Sequence, residues 1–487
     1  MKILLEMRPA LDGHAGIPQE TRLLFRGLRL IEGMEVEGLI QSSGNVLAKG
    51  LPVSVDAAAA MPAHKQLNRL SRVVISIKKK LFNVPVAAVW MAIRHLAGRR
   101  EELARFDAKQ FKDFVWRALF ARTLHAGDFD TVTNANFRIA RVPWSAMHSC
   151  ALITRKLGYA LYPRLDTSGF DVMIAETPYP GMVSSRTKLV VRYHDAIPVL
   201  MPHTISDREY HQASHYHALR KNVSSGAFFA CVSESTRNDL LSLFPEAASR
   251  SVTIHNMVSP HYYLEDSSAA RVPEIIKTRL NGSLGKQCNL AKGLESVEGG
   301  QETLGYLLVV STIEPRKNHA TLLAAWENLR AEKYPHLMLV IVGMLGWDHK
   351  AIVKKFLPWM ERGQLFVLED VPSPELRVLY KHALATVCPS FGEGFDFSGV
   401  EAMRCGGAVV ASRIPVHNEI YGDAAEYFSP YSTAELVTAL ETVIDPTQRG
   451  RRDELVSRGA SVSAQYVPEK ILPKWQEFLV SQLVTMD

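Results

Sequence analysis

The sequence predicts an α/β protein built on two doubly wound parallel sheets, and three stretches carry that expectation. Residues 2–7 read as a buried strand and residues 8–16 (RPALDGHAG) as a loop. Residues 17–30 read as an amphipathic helix, with Leu23, Leu24, Leu28 and Leu30 set among Arg22, Arg26 and Arg29. Strand, glycine-containing loop and helix open a doubly wound domain, whose ligands sit at the carboxyl ends of the strands. From Tyr306 the pattern starts again. Apolar runs at 306–310, 337–343, 365–368 and 383–388 are each followed by a helical or loop–helix stretch, and this alternation predicts a second parallel sheet. The third stretch, Phe391 to Glu401 (FGEGFDFSGVE), is a glycine-rich loop between the last of these strands and a helix starting near Val400.

Composition sets the outer limits. The chain has 487 residues, 47% hydrophobic and 22% charged, which suits two or three domains with ample core. A net charge of +6 is too mild to indicate nucleic acid, and no nucleic-acid partner is expected. Cys150, Cys231, Cys288, Cys388 and Cys405 form no CxxC pair and no metal-ligand spacing. An odd count scattered through apolar runs predicts reduced thiols in a cytoplasmic setting. No uncharged apolar run reaches about 18 residues, so no transmembrane helix is expected. The opening MKILLEMRPALDG is interrupted by Glu6 and Arg8 and reads as a strand rather than a signal peptide.

Between the two sheet patterns lies a long excursion. Residues 35–40 read as the second strand, and the next 125 or so exceed what one α/β unit needs. Within them, residues 67–100 carry Arg69, Arg72, Lys78, Lys79, Lys80, Arg94, Arg99 and Arg100 with no acid. Leu70, Val73, Val74, Ile77 and Leu81 recur at helical spacing, and Pro85 separates two helices. A basic amphipathic helix with Trp90 nearby fits an anionic membrane surface. It equally fits a helix packed on its own domain with a solvated basic face. Asp128-Phe129-Asp130 resembles a metal-holding DxD, but no apolar strand precedes it and it reads as loop.

Further strands are expected at 172–175, 189–193, 227–232 and 252–255. The second of these ends in His194-Asp195, where a histidine at a strand's carboxyl end either meets a ligand or caps the turn. His203, His211, His215 and His217 cluster in the stretch that follows. His211 and His215 are four apart, but without HExxH they read as a polar helix face rather than a metal site. Ser233 is placed to cap a helix. Residues 266–305, rich in Ser, Gly, Lys and Glu, read as a linker or surface excursion. Helices are expected at 434–444, 451–465 and 475–484, the last amphipathic.

The chemistry of the glycine-rich loop is specific. Backbone N–H groups at a helix N-terminus attract phosphates, whereas Glu393 and Glu401 would repel them. The two carboxylates are better suited to accept hydrogen bonds from neutral hydroxyls. A ligand anionic in its middle and hydroxyl-rich at both ends satisfies the loop: a nucleoside diphosphate sugar. Arg316-Lys317, in a loop after the strand at 306–310, fits a diphosphate clamp, with the alternative of a solvated basic turn. Gly343 and Gly346 follow the next strand and would let a nucleotide approach; Glu369 to Pro372 follow the third.

Glu393-x7-Glu401 within EGF…EAM, followed by Gly406-Gly407-Ala408-Val409-Val410-Ala411-Ser412, resembles the retaining GT-B glycosyltransferases of family 4, also called glycosyltransferase group 1. The string Glu314-Pro315-Arg316-Lys317-Asn318 and the step His194-Asp195 match the same family, and the likeness is densest over 307–431. Many relatives read EGFGLP where this chain reads Glu393-Gly394-Phe395-Asp396-Phe397-Ser398. Asp396 thus replaces a glycine and places a charge near the site, and Ser398 replaces a proline.

The resemblance implies two Rossmann-like domains facing a cleft. Residues 1–265 would bind the acceptor, with a helical insertion at about 50–165. Residues 266–305 would link, residues 306–465 would bind the nucleotide sugar, and residues 466–487 would cross back. By the same resemblance the catalytic residues are His194, Glu393, Arg316 and Lys317. The donor would be held by Gly16, Gly343, Arg316, Lys317, Glu393, Gly394, Phe395, Asp396, Phe397 and Glu401, with no metal and no cofactor. Glu401 would accept from ribose hydroxyls and Glu393 from sugar hydroxyls. His194 or its neighbouring carbonyl would stabilise charge at the anomeric carbon. The implied reaction is front-face transfer with retention, the departing phosphate taking the acceptor proton.

FDFSGVEAM and the HDAIP step are similar to bacterial surface-polysaccharide enzymes, mannosyl- and rhamnosyltransferases among them. That favours a GDP-sugar donor, a glycan or lipid-linked acceptor, and a cytoplasmic protein or one peripheral at the inner face of the plasma membrane through residues 67–100. Two other readings stay open. One is an epimerase or phosphorylase on the same fold, although no pyridoxal lysine is evident. The other is a non-catalytic binder, against which the complete set His194, Arg316, Lys317, Glu393 and Glu401 speaks.

Overall fold

The computed structural model describes residues 1–11, 13, 16–78, 84–156, 158–280, 284, 288–289 and 304–482. Among these residues the strands form two sheets. The first holds β1 (Lys2–Glu6), β2 (Glu35–Gln41), β3 (Ala104–Phe106), β4 (Phe137–Ala140), β5 (Val172–Ala175), β6 (Lys188–Tyr193), β7 (Phe228–Cys231) and β8 (Ser251–Thr253). Their order is β3-β4-β2-β1-β5-β6-β7-β8, parallel except for the β3–β4 pair. The second holds β9 (Tyr306–Val310), β10 (Met338–Val342), β11 (Leu365–Leu368), β12 (Ala385–Cys388), β13 (Val409–Ser412) and β14 (Ala425–Phe428). Its order is β11-β10-β9-β12-β13-β14, parallel throughout.

The central strands are near-continuous apolar runs such as YLLVV and MLVIV, buried along their length. Such runs suit a parallel sheet covered by helices on both faces. In each sheet the chain winds outward one way, returns to the middle, and winds outward the other way. The reversal falls between β1 and β5 in the first sheet and between β9 and β12 in the second. Loops at the carboxyl ends of strands flanking such a reversal leave a crevice where ligands bind.

Helix Pro468–Glu477 and the turn Phe478–Gln482 that follows it lie on the first domain. Ile471, Trp475, Phe478 and Leu479 join the core around Phe25, Phe106 and Phe137. Gly27 makes this approach feasible, because a Cβ there would lie 2.5 Å from a Leu472 methyl carbon. The guanidinium of buried Arg192 sits 5.2 Å from the Trp475 ring centroid.

Several expectations are corrected. The loop at 8–16 begins with a helical turn, Arg8–Leu11, because Pro9 suits a first turn and Arg8 is tied to Glu6 (2.7 Å) and Thr177 (3.0 Å). The stretch around Asp128 is not loop but the turn Ala126–Asp128 followed by the helix Phe129–Thr133, and Asp128 is paired to Arg26 at 2.7 Å. The stretch read as linker contains the helix Arg271–Arg279. Val272, Ile275 and Ile276 bury its short apolar face in the second domain's core, and Arg279 forks onto Glu375 at 2.5 and 2.6 Å. Most of 281–303 lies outside the described residues.

In the insertion, helix Ala63–Lys78 turns Leu70 and Val73 into the first core, and helix Val84–Leu96 starts with Pro85 in its first turn. Lys79, Lys80 and Leu81 lie outside the described residues. Among the described residues no helix is long and apolar enough to cross a membrane.

Candidate functional site

The loops that leave β9 and β12 meet at the reversal of the second sheet. Asn318 joins them: in a left-handed conformation (φ 55°), it donates its amide to the carbonyls of Pro389 (3.0 Å) and Pro430 (2.9 Å). This presents the turn Pro315–Lys317 to the glycine-rich loop. Arg316 reaches Glu393 at 2.7 Å, the Gly392 carbonyl at 2.6 Å and Glu314 at 2.9 Å, and Lys317 reaches Glu393 at 2.6 Å. Burial would raise the Glu393 carboxyl, but the two cations outweigh it and hold it below the usual carboxylate range. Both cations are thus paired with the carboxylate between them.

Asp396 does not place a free charge at the site. It is the N-cap of helix Phe397–Arg404, accepting from the Ser398 N–H (3.2 Å) and hydroxyl (2.7 Å), and it pairs with buried His417 at 3.1 Å. Against the opposing effect of burial, His417, the charge of Lys317 and the Ser398 hydroxyl hold its carboxyl far below the usual range. Its backbone is left-handed (φ 62°), which accounts for the fit of a glycine in relatives. Phe395 is a core residue, edge-on to Tyr466 and Phe397, so its side chain is committed to packing.

Glu401 projects from the same helix into a cavity of about 510 Å³ between the two domains. Its carboxylate accepts from Gln19 Nε2 of the first domain (2.9 Å) and from the Tyr380 hydroxyl (3.1 Å). Burial pushes it up to about 7, and these two bonds moderate the rise. Gly343 lines the same cavity, and a Cβ there would lie 1.9 Å from the Ser311 carbonyl oxygen. Asp370, Val371 and Pro372 contribute a wall, while Gly13, Gln19 and Arg122 face them from the first domain. Among the described lining residues is Gly13 and not Gly16, which caps helix Ile17–Arg29 at φ 70°.

On the first-domain side, His194 leaves the end of β6 buried, its Nε2 3.3 Å from Glu176. Burial and Arg192 lower it to about 4, so the imidazole is neutral near pH 7. Its backbone carbonyl faces Gly394 so closely that a Cβ there would lie 1.8 Å away. Ser233 Oγ donates to the Gly394 carbonyl at 2.8 Å. The glycine-rich loop of one domain is thus seated directly on the His194 turn of the other.

The geometry therefore makes two neighbouring groups from the expected residues. Glu401 and Gly343 line the cavity. Arg316, Lys317 and Glu393 form an ion cluster, with Gly394 beside it against His194. Gln19, Tyr380, His417 and Glu419 were not anticipated. Glu419 accepts from the N–H groups of Glu234 (2.7 Å) and Ser235 (2.8 Å) and pairs with His255 (2.8 Å), capping a first-domain helix from the second domain. No local pattern marks such residues, since their partners are remote in sequence; a glutamine in the first turn of the opening helix was the one available hint. His215 packs beneath Tyr193 (3.3 Å) and His217 against Arg155. Among the described residues no group of three or more His, Cys, Asp or Glu is arranged to hold a metal.

Two parallel-sheet domains facing one cleft define the GT-B glycosyltransferase fold. A sucrose-phosphate synthase from Thermosynechococcus elongatus shares it at 13% identity, with a TM-score of 0.57 and all of both chains covered. Anabaena HepE in complex with UDP and glucose shares it at 15% identity, with a TM-score of 0.56, covering 99% of this chain and 100% of that one. Within the fold, residues 272–460 match the family described as glycosyl transferases group 1.

Among curated proteins, the chain is 30% identical over 213 residues to the O-antigen chain mannosyltransferase B of Escherichia coli, covering 44% of this chain and 50% of that one. It is 36% identical over 136 residues to the serotype-specific mannosyltransferase WbdA of Escherichia coli, covering 28% and 16%. It is 26% identical over 144 residues to the O-antigen chain mannosyltransferase RfbU of Salmonella typhimurium, covering 29% and 39%. The chain thus spans half or less of the length of these relatives.

Proposed function

We propose that the protein transfers a hexose, mannose in first place, from a nucleotide diphosphate sugar to a glycan or lipid-linked glycan in surface polysaccharide synthesis. The observation that carries this reading is the cavity between the domains, with Glu401 at its wall and the Arg316–Lys317–Glu393 cluster in the adjoining loops. Mannose is favoured by the names of the three relatives described above, all mannosyltransferases.

In this reading Glu401 exchanges Gln19 for the ribose hydroxyls. Glu393 releases its two cations to the diphosphate and takes sugar hydroxyls instead. Arg316, Lys317 and backbone amides of the glycine-rich loop then stabilise the leaving phosphate without a metal ion. The His194 carbonyl and neutral imidazole border the anomeric carbon. The acceptor attacks from the face that the phosphate leaves, and the phosphate oxygen takes its proton, so configuration is retained.

The test is incubation of the protein with GDP-mannose and a mannose-terminated oligosaccharide, with the new linkage read by proton NMR. An α-linked product that disappears in Glu393→Gln supports the reading. A β-linked product would remove the retaining mechanism. Neither transfer nor slow donor hydrolysis with any nucleotide sugar would favour a non-catalytic binder.

A further inference from the structure

Helix Val84–Leu96 is apolar on two faces, and only one of them is covered. Ala88 and Met91 are buried in the first domain's core, beside helix Trp144–Arg155. Val86, Val89, Trp90, Ile93 and Leu96 point the other way, and each is more than half exposed. Their spacing of three and four residues makes them one stripe rather than scattered surface residues. With Pro85, the first four of them line an open apolar groove of about 490 Å³. A contiguous patch of this kind marks a contact with another apolar surface.

The surrounding charge decides which surface. Residues 67–100 contain no acid, and Arg72, Arg99 and Arg100 are exposed along them. Helix Ala63–Lys78 turns Leu70 and Val73 inward and leaves Leu67 and Ile75 exposed beside its basic residues. At the far end of the apolar stripe, partial burial lowers the affinity of His95 for a proton, and the charges of Arg164 and Lys221 lower it further. Glu101 is neutralised by Arg94 at 2.9 Å, leaving Glu102 as the nearby exposed acid in sequence. An apolar stripe holding a tryptophan and bordered by one sign of charge matches the headgroup layer of an anionic bilayer.

We propose that the outward face of helix Val84–Leu96 docks the protein on an anionic lipid bilayer, with Val86, Val89, Trp90, Ile93 and Leu96 entering the headgroup boundary and Arg99 and Arg100, just past the helix end, meeting lipid phosphates. This differs from the sequence expectation in its element: the continuous apolar stripe lies on the insertion's second helix, whereas Leu70 and Val73 of the basic first helix are buried. The inference stands apart from the transferase reading.

The test is co-sedimentation of the full chain with vesicles of phosphatidylcholine alone or mixed with phosphatidylglycerol, without donor or acceptor, so that its failure leaves the transfer chemistry untouched. The protein is expected to sediment with the mixed vesicles, less so as salt is raised, and not with phosphatidylcholine alone. Trp90→Ser/Ile93→Ser should lower the partition coefficient by about tenfold or more with an unchanged melting temperature. Val89→Ser/Leu96→Ser serves as a second apolar pair should the first lose its fold. Arg99→Ser/Arg100→Ser should weaken binding and flatten its salt dependence, and Leu30→Ser, on an exposed site of another helix, should bind as the unaltered chain does. No binding to the mixed vesicles, or equal binding by both apolar variants, would overturn the proposal. So would concentration-dependent self-association that Trp90→Ser/Ile93→Ser abolishes, which would give the face to a second copy of the chain.

Discussion

Gln19 Nε2 lies 2.9 Å from Glu401 Oε1, joining the opening helix of the first domain to the glycine-rich-loop helix of the second. The bond occupies the carboxylate oxygen that a ribose hydroxyl would need, so Gln19 stands as a competitor for Glu401. Glu401→Ala should weaken nucleotide binding by about tenfold or more, the cost of losing a hydrogen bond to a charged acceptor. Gln19→Ala removes the competitor and should leave affinity equal or higher. Isothermal titration of both variants separates the two roles.

The acidity of Glu401 gives a pH dependence of definite sign. Burial pushes its carboxyl above the ordinary 4.5 to about 7. The folded state therefore holds this proton more tightly than the unfolded one. The resulting stabilisation is complete below about pH 4.5 and is lost as pH rises through about 7. A carboxylate that accepts two ribose hydroxyls must be ionised, so nucleotide binding should release a proton. Affinity should fall about tenfold from about pH 8 to about pH 6, and Glu401→Gln should be weak and flat across that range.

Asp396 tests whether a family glycine has been replaced at a cost. Asp396→Gly would relieve about 1 kcal/mol of left-handed backbone strain. It would also remove the cap on Ser398, lose the pairing with His417 and leave that buried ring nitrogen without its carboxylate, together about 2–3 kcal/mol. The variant should be less stable by about 1–2 kcal/mol in urea unfolding despite restoring the commoner residue.

Arg316 makes three contacts that a lysine cannot reproduce, to Glu393, Glu314 and the Gly392 carbonyl. Arg316→Lys should lower kcat/KM by about a hundredfold, the usual effect of removing one donor from a transition-state oxyanion. It should also cost about 1–3 kcal/mol of stability by leaving Glu314 buried without its partner. Paired kinetic and thermal measurements check both.

The fold was legible because parallel strands announce themselves. YLLVV, MLVIV and LFVL are apolar runs of strand length followed by helices, and β9 and β11 occupy the expected residues. Helix Arg271–Arg279 was missed because only Val272, Ile275 and Ile276 mark its face within a polar stretch. At the site, Glu401 and Gly343 were legible as candidates, Gly343 from its place after a strand and Glu401 from the family string, and both line the cavity. Gln19, Tyr380 and Glu419 were not, since their importance arises from contacts across the cleft or between adjacent helices. Asp396 was half legible for a related reason: its carboxylate does act on Glu393, but its own pairing was hidden. Its charge is visible in sequence, whereas its partner His417 lies 21 residues onward and reaches it only through the fold.

The most direct measurement is isothermal titration of the full chain with GDP, UDP, dTDP and ADP in the presence of EDTA, repeated with Glu401→Ala and Arg316→Ala. The account predicts that one nucleoside diphosphate, GDP in first place, binds without a metal ion and that both variants lose at least about tenfold in affinity. Failure of all four nucleotides to bind, or binding untouched by either substitution, would contradict a donor site in this cleft.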